Sequence, residues 1–99
     1  MFARVSTYEG SSDHTAEGLR VAQEQILPAA KLMDGFKGIY LLYNRESGKS
    51  LSVTLWETEV DMRANEEAAN RVRAQSAEAS GDKVINVERY EVALQMLVD

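Results

Sequence analysis

Polar and apolar positions alternate with a period of two from Phe2 to Glu9, where Ala3, Val5 and Thr7 interleave with Phe2, Arg4, Ser6 and Tyr8. That alternation predicts a β-strand. After the break at Gly10-Ser11-Ser12-Asp13 the period lengthens. Leu19, Ala22, Ile26, Ala29 or Ala30, and Met33 recur at helical spacing, so a helix capped by Ser12 or Asp13 is expected to run to about Met33 with this stripe on the sheet. Pro28 removes a hydrogen bond inside it and predicts a bend. Two apolar runs follow, Phe36 to Tyr43 and Leu51 to Trp56, joined by Arg45-Glu46-Ser47-Gly48-Lys49. They read as a β-hairpin with Gly48 in the left-handed position of a three-residue loop. If Arg45 and Lys49 close the turn, Tyr43 lies across from Leu51, Tyr40 across from Thr54, and Gly38 across from Trp56. One face then carries Gly38, Tyr40, Leu42, Ser52, Thr54 and Trp56, and the other carries Ile39, Leu41, Tyr43, Leu51, Val53 and Leu55.

Thr58-Glu59-Val60-Asp61 has the capping-box pattern and starts a second helix that Gly81 ends. Met62, Asn65, Ala69, Val72, Ser76 and Ala79 form its expected inner face, while Glu66, Arg71, Arg73 and Glu78 fall on an expected solvated face. Val84 to Ala93 reads as a last strand, and Leu94-Gln95-Met96-Leu97-Val98 as an apolar tail suited to a partner subunit. The order strand, helix, strand, strand, helix, strand gives an α+β, ferredoxin-like βαββαβ unit over residues 1–99, a four-stranded antiparallel sheet with two helices on one face. The second sheet face is too apolar to stand in water. A second copy, sheet against sheet, would cover it in a homodimer.

Composition narrows the chemistry. The chain has no cysteine, which excludes disulfides, thiolate catalysis and iron-sulfur clusters. Net charge is -5 with the basic residues scattered, which disfavours nucleic acid and anionic membranes. One histidine, His14, and dispersed carboxylates give no metal-ligand spacing. The opening MFARVSTYEG lacks a signal-peptide pattern and no apolar run is of membrane-spanning length, so a cytoplasmic location is expected.

The hairpin GFKGIYLLYNRESGKSLSVTLWET, the Pro-bearing helix end ILPAAKLMDGF and the closing VERYEV together resemble the dimeric α+β barrel superfamily, in particular its antibiotic biosynthesis monooxygenase-like members. The resemblance implies a homodimeric α+β barrel with a small-molecule cleft between sheet and helices in each subunit. It also implies varied chemistry: some members oxygenate polycyclic quinols without metal or flavin, and others degrade haem. Trp56 falls where catalytically implicated tryptophans of that superfamily sit. Ser52 and Thr54 stand where some oxygenating members have an asparagine on this strand, and the second helix has no histidine of the kind the haem degraders use.

The candidate catalytic residues are therefore Trp56, Asn65, Arg4 and His14, with Tyr40, Ser52, Thr54, Met62 and Tyr8 as candidate substrate contacts, and no metal or cofactor is expected. Each has a structural counterpart. Trp56 could fill the space above Gly38, the tyrosines could be core edges, and His14 an exposed first-turn residue. Asn65 on an inner face must find partners, and Arg4 in a buried strand needs a carboxylate, for which Glu57 or Glu88 is available. Two functions stand open: a cofactor-independent monooxygenase-like enzyme binding an apolar or aromatic molecule, and a binding or structural dimer without chemistry.

Overall fold

The computed structural model describes residues 1–10 and 15–98. Strands β1 (Phe2–Glu9), β2 (Phe36–Tyr43), β3 (Lys49–Trp56) and β4 (Lys83–Glu91) form one antiparallel sheet in the order β2-β3-β1-β4. The expected ferredoxin-like unit is thus present, with β1 and β3 in the middle. Among the described residues no helix is long and apolar enough to cross a membrane. The expected N-cap, Ser12 or Asp13, and His14 lie outside the described residues.

The first helical stretch has three parts: α1 (Thr15–Val21), a wide π-helical turn over Ala22–Ile26, and α2 (Leu27–Ala30). Pro28 sits in the first turn of α2, and Leu27 N–H donates to Ala22 O, five residues back. The widened turn delivers the chain to Pro28 at a position where a missing N–H costs little. Val21, Ala22 and Ala30 are buried, whereas Leu19, expected on the packing face, is exposed. Widening shifts the helical phase, so one stripe cannot face the sheet from end to end.

The hairpin register differs from expectation by one residue. Asn44 and Lys49 close the loop: Asn44 N–H donates to Lys49 O at 2.9 Å, and Gly48 N–H donates to Asn44 O at 2.9 Å. The Asn44 side chain decides this, because its Oδ1 accepts from the N–H groups of Glu46 and Ser47 at 3.0 and 3.1 Å. Gly48 is left-handed as expected, with φ 79°. Tyr43 pairs with Ser50, Tyr40 with Val53 and Gly38 with Leu55, while an irregularity at Lys37 brings Phe36 opposite Trp56. The β2 side chains therefore swap faces relative to β3. Ile39, Leu41 and Tyr43 join Ser52, Thr54 and Trp56 under the helices, and Tyr40 and Leu42 join Leu51, Val53 and Leu55 on the open face.

Thr58 caps the second helix as expected, its Oγ1 accepting from Asp61 N–H at 3.0 Å, and Gly81 ends it at φ 77°. The helix is broken, however, into α3 (Glu59–Ala64) and α4 (Glu66–Ser80) at Asn65, whose φ of -103° and ψ of 14° leave the helical region. The break rephases α4. Met62 keeps its inner position, but Arg73 and Ala77 turn inward, so Arg73 is a buried residue and not part of a solvated face. The side chains of Val72, Ser76 and Ala79 are outside the description.

Candidate functional site

A cavity of about 60 Å³ lies between the inner sheet face and the helices. Strand alternation supplies its floor: Arg4, Ser6 and Tyr8 from β1, beside Ser52, Thr54 and Trp56 from β3. Phe36 and Ile39 of β2 close one side, Ile26, Ala30 and Met33 roof it from the first helical stretch, and Ala69 and Arg73 enter from α4. The result is an apolar shell around a few convergent polar groups, the usual make-up of a small-molecule site.

Trp56 is 1% exposed and tightly held. The Phe36 ring meets it edge-on, centroids 5.6 Å apart at 73°, and the Arg4 guanidinium lies 5.2 Å from its ring centroid. Its indole N–H donates to Thr54 Oγ1 at 2.9 Å. That bond occupies the polar edge of the ring, so Trp56 meets the cavity as a wall.

Arg4 is 2% exposed. Its Nη2 donates to Met62 O and lies 3.2 Å from Glu66 Oε1. Glu66, not Glu57 or Glu88, is the carboxylate that Arg4 needed, and it is shared: Arg89 grips it from β4 through Nε and Nη2 at 2.6 and 2.7 Å. The Arg89 hydrogen bond, helped by Arg4 and opposed by burial, holds the Glu66 carboxyl down at about 2. Burial pulls Arg4 below the ordinary guanidinium range, Glu66 opposing it. Arg4 Nε is buried with no hydrogen-bond partner.

Arg73, 8% exposed, donates from Nε to Ser6 Oγ at 3.0 Å and from Nη1 to Asn70 Oδ1. Both acceptors are neutral. Among the described residues no carboxylate lies within salt-bridge distance of it, whereas the exposed Arg63 and Arg71 pair with Glu59 and Glu67 one turn back. Burial raises the Tyr8 hydroxyl above its ordinary value, against the pull of Arg73, so Tyr8 stays a hydrogen-bond donor.

Arg4, Tyr8, Ser52, Thr54 and Trp56 are thus brought together. The others are not. Tyr40 points from the opposite sheet face, because of the register at Asn44. Asn65 is absent from the cavity lining; its Nδ2 donates to Asp61 O at 2.9 Å, which satisfies the amide at the helix break. Met62 lies beneath Arg4 and supports it through its carbonyl. Among the described residues no cluster of His, Asp or Glu could hold a metal ion.

No family model matches the chain. An uncharacterized protein of Mycobacterium tuberculosis is 32% identical over 93 residues, covering 94% of this chain and 41% of that protein. A second protein of that bacterium is 30% identical over 94 residues, covering 95% and 39%. The chain therefore spans about two fifths of the length of the curated relatives it matches. Solved structures resemble it along its whole length. A candidate antibiotic biosynthesis monooxygenase of Deinococcus radiodurans superposes with a TM-score of 0.71 at 17% identity, covering 100% of this chain and 99% of the other. A Streptomyces coelicolor monooxygenase in complex with nanaomycin D gives 0.70 at 17%, covering 99% and 92%. A dimeric ferredoxin-like protein from an uncultured marine organism gives 0.70 at 10%, covering 98% of each. The chain has the antibiotic biosynthesis monooxygenase-like fold.

A haem degrader of Mycobacterium tuberculosis, solved with two haems in its active site, shares the fold at a TM-score of 0.64 and 22% identity, covering 97% of this chain and 99% of the other. The cavity as it stands is smaller than haem. About 60 Å³ is far below a macrocycle, and the described part of either helical stretch offers no imidazole.

Within this monooxygenase-like fold, sequence reasoning missed Arg73 and Phe36. A signal for Arg73 was available: its neighbours four residues away are Ala69 and Ala77, and those three away are Asn70 and Ser76, so nothing on its own helix balances its charge. Phe36 reaches Trp56 through the irregularity at Lys37, which the apolar pattern does not announce.

Proposed function

We propose that this chain acts as a homodimer whose sheet-helix cavity binds a small apolar or aromatic molecule and oxygenates it without a cofactor. The observation that carries the reading is an apolar cavity whose polar groups converge on one wall, in a fold shared with a monooxygenase solved in complex with nanaomycin D. Trp56 shapes the wall, Ser52 and Tyr8 orient substrate oxygens, and Arg4 steadies negative charge as the substrate loses a proton. A reduced ring compound supplies its own electrons: a ring CH₂ takes one oxygen atom from O₂ to become C=O, and its two hydrogens leave with the other oxygen atom as water. Asn65 and Met62 contribute by positioning Arg4 and α4, and Tyr40 belongs to the face offered to the second subunit.

Aerobic oxygen-uptake and product assays over one-ring compounds that carry an acidic ring CH₂ test this, with Trp56→Phe and Ser52→Ala as variants. Turnover that falls roughly tenfold or more in either variant is the expected result. Turnover untouched by both would remove this cavity from the chemistry. A second reading, a binding dimer without chemistry, is favoured by the Trp56 indole N–H being already occupied by Thr54; saturable binding with no oxygen uptake would select it.

A further inference from the structure

The buried charges around the cavity do not balance. Among the described residues Arg4 and Arg89 share the single carboxylate Glu66, and Arg73 has only Ser6 and Asn70. Burying a cation without a counter-charge is costly, and a donor left unpaired adds to that cost. Arg4 Nε is such a donor. This positive excess occurs in a protein of net charge -5, and it lies at a cavity whose remaining walls are Ile26, Met33, Ile39 and other apolar groups.

We propose that the ligand of this cavity carries a carboxylate, held by Arg73 and the unpaired edge of Arg4, with a small apolar body against Trp56 and Met33. The proposal rests on the reading of the cavity as a small-molecule site and names the ligand's class. A planar guanidinium matches a planar oxyanion better than any point charge would, and one negative charge supplies what Arg73 lacks. Tyr8 adds a neutral hydroxyl donor on the same strand face. Size sets the body. At about 60 Å³ the cavity is smaller than the roughly 150 Å³ that accepts benzene in an engineered apolar site, so a short chain fits as it stands and a single ring requires Phe36 or Met33 to shift. A phosphate monoester carries between about one and a half and two negative charges at neutral pH, more than the one charge that Arg73 lacks, so a carboxylate balances the site better.

Trp56 is the only tryptophan in the chain, so fluorescence excited selectively at tryptophan reports on this cavity. The full chain is titrated with butyrate and benzoate, with their amides butyramide and benzamide, and with inorganic phosphate. At least one carboxylate should bind tenfold or more tightly than its amide, and phosphate should not compete. Arg73→Gln should bring acid and amide to within about twofold of each other, and Arg73→Lys should keep part of the preference. Equal binding of acid and amide in the wild type overturns the carboxylate assignment and leaves the small-molecule cleft standing. A preference for the acid that Arg73→Gln leaves intact, or competition by phosphate, also overturns it. No saturable signal from any probe overturns both. The wild-type ratio of acid to amide needs no variant, so it decides the matter even if Arg73→Gln does not fold.

Discussion

Glu66 stands between Arg4 and Arg89, and removing its charge would leave the buried Arg4, among the described residues, without a counter-charge. Breaking a buried pair from one side is far more damaging than losing a surface pair. Glu66→Gln should therefore cost about 3 kcal/mol in denaturant unfolding, while Arg89→Gln, at a more exposed position, should cost about 1 kcal/mol because Arg4 still holds the carboxylate. The same residue gives the protein an acid limit. A carboxyl held at about 2 when folded and near 4.5 when unfolded adds stability that is fully present above 4.5 and is lost as pH falls from there toward 2. With allowance for solvent screening, the wild type should lose about 1–2 kcal/mol more than Glu66→Gln between pH 7 and pH 3. Parallel stability profiles for the two proteins would show that Glu66 is not the group responsible.

At the level of elements, a few local features govern what the strands and helices present. Gly35 turns the chain from the first helical stretch into β2 at φ 75°, and its carbonyl accepts from Glu57 N–H at 2.8 Å. A Cβ there would come within 2.5 Å of the Cβ of Asp61 in α3 as well as taking a left-handed conformation. Gly35→Ala should thus cost about 2–4 kcal/mol, more than Gly48→Ala in the exposed hairpin loop; equal costs would mean that the contact with Asp61 relaxes freely. Element order, the Thr58 cap, and the Gly48 and Gly81 stops were legible because each depends on residues within four positions of one another. The faces were less so. The Asn44 side chain competes for the turn N–H groups and moves the hairpin register by one, which exchanges Tyr40 for Ile39 in the cavity. Asn65 breaks the second helix and turns Arg73 inward, and the π-turn before Pro28 does the same to the first stripe, leaving Leu19 outside. Arg4, Trp56, Ser52, Thr54 and Tyr8 were found because β1 and β3 keep their alternation without interruption through these positions.

Across the whole molecule, the one-residue slip leaves a main expectation intact, since the sheet face away from the helices is still apolar. Leu51, Val53 and Leu55 of β3 lie beside Ala3 and Val5 of β1 and Tyr40 and Leu42 of β2, with Leu42 49% exposed. Beyond β4 the tail leaves Leu94, Met96, Leu97 and Val98 in solvent. Apolar groups grouped on one surface are the mark of an interface, and a stable one buries roughly 1,000 Å² or more. A second copy seated on this face accounts for both the sheet and the tail. Leu42→Glu separates the alternatives. On a free surface the change should alter stability by no more than about 0.5 kcal/mol and leave the hydrodynamic size unchanged. In a sheet-to-sheet dimer it places an unpaired carboxylate between two apolar layers, so sedimentation at micromolar concentration should show the wild type as a dimer and Leu42→Glu shifted to monomer. Because the cavity lies on the other side of the sheet, the Leu42→Glu monomer should keep its Trp56 fluorescence signal with bound carboxylate. A wild type that sediments as a monomer would mean that the tail or another partner covers the face.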